Sequence, residues 1–323
     1  MNTNAARPTG LPSERSVAIR DSTLREGLDV PGVSYSLAQR HTLAMRLAAA
    51  GVPELEIVAP GKVEADLAFA RELKEQAFNA KTTGLIYAMS PALETEIAGA
   101  SGCLDWVDLL VSVSLLRKPY DPAEKWDRLG AALDMALSRM PGVGVGFPNA
   151  TQGDPAFLLE MAARAVSHGA GRITLYDTNG SADPFTVRER IQALKAEVAV
   201  PVYFHGHNDL AMATANSLSA VMAGADGIDA TVNGLGDRAG NCPLEPLAVA
   251  LALRGIVTGI RLELLTGLSH AVAEASGIPL SRLAPVVGEF VFSHKSAGHL
   301  EVPELFEAFD PALVGAERKI IGK

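Results

Sequence analysis

Short apolar runs rich in β-branched residues alternate with longer amphipathic stretches through most of the chain. Eight such runs stand out: Ser16 to Arg20, Glu54 to Val58, Lys81 to Tyr87, Trp106 to Val113, Val143 to Phe147, Arg172 to Tyr176, Val202 to Phe204 and Gly227 to Val232. Their length and composition predict strands. The stretches between them open on helix-start signals. Asp121-Pro122, Asp154-Pro155 and Asp183-Pro184 each place a side-chain acceptor before a proline whose fixed φ suits the first helical position. Ser36 and Gln39 have the spacing of a capping box, and Leu43, Ala44, Leu47 and Ala48 then share one face before Gly51 ends the helix. Strand and helix alternate eight times, which predicts an α/β fold of the (β/α)8 TIM-barrel type, with functional groups at the C-terminal ends of the strands. After Gly259 the rhythm stops. A helical stretch from Arg261 to Ser276 and an irregular remainder predict a small C-terminal subdomain over 260–323, following a barrel over 16–259 and a loose tail over 1–15.

Bulk properties narrow the class. At 323 residues the chain accommodates one barrel and an appendage. A formal charge of -9 argues against nucleic acid or an anionic membrane as partner, since both reward a basic face. Cys103 and Cys242 are too few for a disulfide framework, which points to a reducing cytoplasm. No apolar run reaches membrane-spanning length, and Met1 to Arg15 lacks the apolar core of a signal peptide. A soluble enzyme acting on small molecules is the expectation.

Three polar clusters fall at predicted strand ends. In Tyr203-Phe204-His205-Gly206-His207-Asn208-Asp209 the period of two puts both imidazoles on one face of a strand, where they can share a metal ion; the same spacing also occurs on ordinary surface strands. Strand one runs into Arg20-Asp21-Ser22-Thr23-Leu24-Arg25-Glu26-Gly27, which suits a site for both a cation and an anion, and equally a salt-bridged barrel rim. Strand eight is followed by Asn233-Gly234-Leu235-Gly236-Asp237-Arg238-Ala239-Gly240-Asn241, a glycine-rich loop that offers Asn241 as a neutral oxygen ligand. Strands one, seven and eight adjoin in a closed barrel, so Glu26, His205, His207 and Asn241 converge on one rim. That donor set suits Mg2+, Mn2+ or Zn2+ with positions left open for substrate.

Asp21-x-Thr23-Leu24-Arg25-Glu26-Gly27, His205-x-His207-Asn208-Asp209 and Gly234-x-Gly236-Asp237-Arg238-x-Gly240-Asn241 resemble the motifs of the DRE-TIM metallolyase superfamily, especially its homocitrate and isopropylmalate synthases. The resemblance extends to Asp177-Thr178-x-Gly180 and to Val287-Gly288-x-x-x-Phe292-x-His294-x-Ser296, and leaves out the regulatory domain of isopropylmalate synthases. It implies a Claisen-type condensation in which an acyl-CoA, usually acetyl-CoA, adds to the ketone of a 2-oxo acid held by a divalent metal. Residue by residue, it implies Glu26, His205 and His207 as metal ligands and Asn241 as a nearby or alternative ligand. Arg25 would stabilise the oxyanion or enolate, and Thr178 would hold the substrate carboxylate. His294, and after it His299, would belong to a segment that reaches into the partner's barrel within a homodimer, where His294 is the candidate proton acceptor.

The pattern also breaks. Leu28-Asp29 stands where the synthases carry a glutamine, Pro148 where they carry a serine near a glutamate, and Leu116 where they carry a histidine. With Asp29 beside the metal and Arg117 and Lys118 beside Leu116, an unusual 2-oxo acid bearing an extra anionic group is the expectation. Rival readings are a lyase cleaving 3-hydroxy-3-methylglutaryl-CoA, an aldolase acting on 4-hydroxy-2-oxo acids, and a non-catalytic barrel serving as a binding subunit. The lyases carry a cysteine in the loop after strand eight, matched here by Arg238. The aldolases carry a histidine near the position of Asp29.

Overall fold

The computed structural model describes residues 15–59, 63–76 and 78–321, so all of the expected N-terminal tail except Arg15 lies outside the described residues. Eight parallel strands, β1 (Ala18–Asp21), β2 (Glu54–Val58), β3 (Lys81–Tyr87), β4 (Trp106–Leu110), β5 (Val143–Phe147), β6 (Ile173–Asp177), β7 (Val202–Gly206) and β8 (Gly227–Ala230), pair in sequence order. Ile19 of β1 pairs with Ile228 of β8, which closes the sheet into the expected TIM barrel. Helices α1 (Thr23–Glu26), α2 (Leu37–Ala49), α3 (Val63–Glu75), α4 (Leu93–Ala100), α5 (Pro122–Leu137), α6 (Pro155–Ser167), α7 (Pro184–Glu197), α8 (Ala213–Ala223) and α9 (Leu244–Ala252) occupy the strand connections and the segment after β8. Beyond them, α10 (Leu265–Ser276) is followed by short 3-10 turns and a two-residue parallel bridge between Ser293–His294 and Lys319–Ile320.

The caps act as read. Asp121, Asp154 and Asp183 accept backbone N–H groups in the first turns of α5, α6 and α7. Ser36 and Gln39 form both bonds of the capping box, at 3.2 and 2.8 Å. Gly51, at φ +88, follows the end of α2.

Strand ends differ from the expected ones in ways that matter for the site. β7 runs two residues further than Phe204, because His205 and Gly206 pair with Tyr176 and Asp177 of β6. β4 stops at Leu110 rather than Val113: the carbonyls of Ser112 and Ser114 turn to the Lys125 ammonium, at 2.7 and 3.0 Å. The helix expected from Arg261 begins at Leu265, after a 3-10 turn.

The barrel interior is ionic as well as apolar. Arg20, wholly buried, donates to Asp229 at 2.8 and 2.6 Å and to Asp108 at 2.6 Å, and lies 3.6 Å from Glu56. Arg172 spans Glu54 and Asp108 at 2.8 and 3.0 Å. Taking ions from water into a barrel costs more than a single contact returns, so each of these groups is held by several opposite charges at once.

Candidate active site

The ends of β1, β7 and β8 meet as expected. Glu26 at the end of α1, His205 on β7 and His207 just past it are all buried, and one donor atom of each lies within 4.8 Å of the others. Local structure explains the convergence. Asp21 accepts from the backbone N–H and the hydroxyl of Thr23, both at 2.9 Å, and folds the chain after β1 into the one-turn helix that ends in Glu26. The Thr23 oxygen in turn accepts the Val232 N–H at 2.8 Å, tying this turn to the end of β8. His207 and Asn241 face each other across an antiparallel bridge.

The electrostatics favour a cation. His205 Nδ1 lies 2.9 Å from Asp229 Oδ2 and its Nε2 lies 3.3 Å from Glu26 Oε1, so each ring nitrogen faces a carboxylate; a metal ion would take the place of the Nε2 proton. Burial opposes charging His205, yet its bonds to Asp229 and Glu26 raise its pKa to about 9. His207 goes the other way, to about 4, through burial first and then the neighbouring imidazole, which leaves it neutral and able to donate a lone pair. Burial likewise works against the charged form of Glu26, but the Arg25 guanidinium at 2.5 Å outweighs it and holds the carboxyl well below the usual range. In the connected network three guanidiniums, of Arg20, Arg25 and Arg172, and the His205 imidazolium face six carboxylates, of Glu26, Asp29, Glu54, Glu56, Asp108 and Asp229. Two negative charges are left over beside the histidines, which a divalent cation would balance.

The donor set fits such an ion. His207 Nδ1 and Asn241 Oδ1 are buried with no hydrogen-bond partner. Asn241 stands beside these three donors, its Nδ2 3.0 Å from His205 Nε2, and a half-turn of its amide would bring the oxygen to that point.

Glu26, His205 and His207 line a cavity of about 270 Å³ with Arg25, Asp29, Thr178 and Arg117, so the residues expected to hold a metal and to handle substrate are brought to one place. Thr178 Oγ1 accepts the Asn149 N–H at 2.7 Å. Arg25 also donates from Nε to Glu56 at 2.7 Å. A second cavity of about 580 Å³ adjoins the first across Tyr87, Leu110, Arg117 and Pro148. Leu116 is 90% exposed and lines neither cavity; its neighbour Arg117 lines both. His294 is not among the residues lining this mouth. It is buried near the chain's end, 2.9 Å from Glu307 and 3.4 Å from His299 Nδ1.

Several side chains that hold the candidate site in place escaped the sequence reading. Asp229 orients His205, Glu56 holds Arg25, and Tyr176 stacks within 4.6 Å of the His205 ring. The available signal was a charge at every second position of a strand otherwise apolar on both faces, as in Glu54-Leu55-Glu56-Ile57.

The HMGL-like family model matches residues 16–272. Homocitrate synthase 1 of a Nostoc species is 34% identical over 315 residues, 94% of this chain and 82% of that protein. Homocitrate synthase of Frankia alni is 35% identical over 98% of this chain and 92% of its own length. 2-Isopropylmalate synthase 2 of Caldanaerobacter subterraneus is 34% identical over 95% of this chain and 82% of that protein. In fold, the chain resembles the hydroxymethylglutaryl-CoA lyase of Pseudomonas aeruginosa, with a TM-score of 0.70 at 19% identity, covering 84% of this chain and 97% of that one. The HMG-CoA lyase of Brucella melitensis gives 0.69 at 22% identity, covering 81% and 99%. The chain belongs to the HMGL-like family and is an enzyme of that family.

Proposed function

We propose that this enzyme condenses acetyl-CoA, or another acyl-CoA, with a 2-oxo acid in a metal-dependent Claisen-type reaction, releasing CoA and a 2-alkylmalate-like or homocitrate-like product. One observation carries the reading: Glu26, His205 and His207 converge, buried, on a small cavity that also presents Arg25 and Thr178. A divalent ion held by those ligands would supply Lewis acidity toward a carbonyl oxygen. Arg25, already fixed by Glu26 and Glu56, presents a preorganised positive charge where an enolate or oxyanion develops. Because the Thr178 oxygen accepts from Asn149, its own proton remains to be donated to a substrate carboxylate. Ala59, Leu85, Leu110 and Pro148 give the same cavity an apolar wall. His294 is assigned as proton acceptor, acting on the barrel of a second copy in a homodimer.

The lyase reading loses its nucleophile or acid at this mouth. Arg238 occupies the cysteine's place, and Cys242 is buried with its thiol pushed up to about 12. The relatives named as homocitrate and isopropylmalate synthases support the same choice. The two buried, unlinked cysteines support a cytoplasmic setting. For the acceptor, Arg117 lines both cavities while Lys118 and Lys125 line the larger one, which supports a 2-oxo acid with a second anionic group.

The test is thiol release from acetyl-CoA by metal-loaded protein across a panel of 2-oxo acids. Release that depends on a particular 2-oxo acid is expected. Cleavage of a 3-hydroxyacyl-CoA or of a 4-hydroxy-2-oxo acid in its place would transfer the assignment to a lyase or an aldolase. An unchanged Michaelis constant in both Arg117→Ala and Lys118→Ala would remove the second anionic group from the proposal.

A further inference from the structure

We infer that Arg238 is a positioning residue that locks together the loops following β6, β7 and β8, and so holds Thr178, His207 and Asn241 in register. Its guanidinium donates to Asp209 through two parallel bonds, Nε to Oδ1 at 2.8 Å and Nη2 to Oδ2 at 3.0 Å. The same Nη2 donates to the Thr178 carbonyl at 2.8 Å, and Nη1 donates to Asp237 at 2.6 Å. One side chain from the β8 loop therefore engages the β7 loop two residues past His207 and the β6 loop at Thr178 itself. A planar fork is required for this; a lysine ammonium cannot reproduce the paired bonds to Asp209.

The surrounding backbone is built to accept the fork. Arg238 sits at φ +57, a conformation that few residues other than glycine adopt, and it is followed by Gly240 at φ +88. On the β6 side, Gly180 at φ +61 lets the two loops touch: a Cβ there would come within 2.5 Å of the Asp209 carboxylate and 2.6 Å of its nitrogen. Asn208 donates its N–H to Gly240 at 2.9 Å, and His207 bridges Asn241, so the β7 and β8 loops are stitched on both sides of the ion pair. The Thr178 hydroxyl, meanwhile, accepts from Asn149 on the β5 loop. Fixing the Thr178 carbonyl thus fixes a hydroxyl at the cavity wall, while fixing Asp209 fixes the segment that carries His207.

The consequence for turnover rests on the condensation reading above; the consequence for the loops does not. Arg238→Gly is the informative variant, because glycine adopts the positive φ readily and removes the guanidinium with its stem without straining the backbone. In the metal-free variant, the amides of Asn149 and Asn208 are expected to exchange hydrogen about tenfold faster than in the wild type, the scale of losing one charged hydrogen bond. Calorimetric affinity for Mn2+ is expected to fall about tenfold or more, as when an outer partner of a metal ligand is removed. Arg238→Lys should not restore either quantity, and adding Asp209→Ala to Arg238→Gly should cost little beyond the single changes. In turnover, the KM for the 2-oxo acid should rise more than kcat falls. Wild-type exchange at both amides in Arg238→Gly overturns the inference. So does faster exchange with unchanged Mn2+ affinity, which would mean that the loops are held without the ligands. Absence of thiol release from the wild-type protein defeats the condensation reading, while the exchange rates still decide the role of Arg238.

Discussion

Asp229 Oδ2 lies 2.9 Å from His205 Nδ1 and at the same time receives Arg20 Nη2 at 2.6 Å. The carboxylate fixes the imidazole tautomer that leaves Nε2 available to a metal, and its own charge is held in the barrel by a guanidinium. Asp229→Asn keeps an oxygen at this place and removes the charge. Divalent-ion affinity measured by calorimetry should drop by about 10- to 100-fold. Unchanged affinity would mean that Asp229 serves the ionic lattice alone.

Arg25 bridges Glu26 and Glu56, so its fork is oriented before substrate arrives. Arg25→Lys retains the charge and loses the fork. Loss of one preorganised donor to a developing negative charge predicts a fall in kcat of about 10²- to 10³-fold. Steady-state kinetics should show this with little change in KM, since the interaction is made chiefly in the transition state.

Glu245 is buried, and burial raises its carboxyl from the ordinary value of 4.5 to about 7, partly offset by the Asn233 N–H it accepts at 3.0 Å. The folded protein therefore holds this proton more tightly than the unfolded chain. The associated stability is present in full below about pH 4.5 and is lost as pH rises through about 7. Asp21, also raised to about 7 by burial, contributes with the same sign. Urea denaturation at pH 5 and pH 8 should give a smaller pH-dependent loss for Glu245→Gln than for the wild type. An equal loss in both would show that Glu245 does not titrate in this range.

Cys242 should be chemically silent. Its buried thiol, raised to about 12, yields almost no thiolate at neutral pH. Iodoacetamide should label it only after unfolding, and Cys242→Ala should retain wild-type turnover. Loss of turnover in that variant would revive the lyase reading.

The barrel was legible because strand and helix have different hydrophobic periods and because Asp-Pro pairs mark three helix starts. The convergence of Glu26, His205 and His207 was legible because all three follow or end strands β1 and β7, whose shared neighbour β8 follows from closure. The ionic lattice was not. Which face of Glu54, Glu56, Asp108 and Asp229 points inward depends on register and tilt, and no local pattern records either. The sequence placed a substitution at Leu116, but that side chain points to solvent, and Arg117 is the residue at the cavity. Loop direction after β4 is set by Lys125, thirteen positions beyond Ser112, a distance at which single-sequence patterns carry no information.

The central claim is that His205, with Glu26 and His207, holds a catalytic divalent ion. Calorimetric titration of Mn2+ into wild-type protein and into His205→Ala, with circular dichroism to verify folding, tests it most directly. The account predicts one ion bound per chain in the wild type and no measurable binding in the folded variant. Binding of equal affinity in His205→Ala would contradict it.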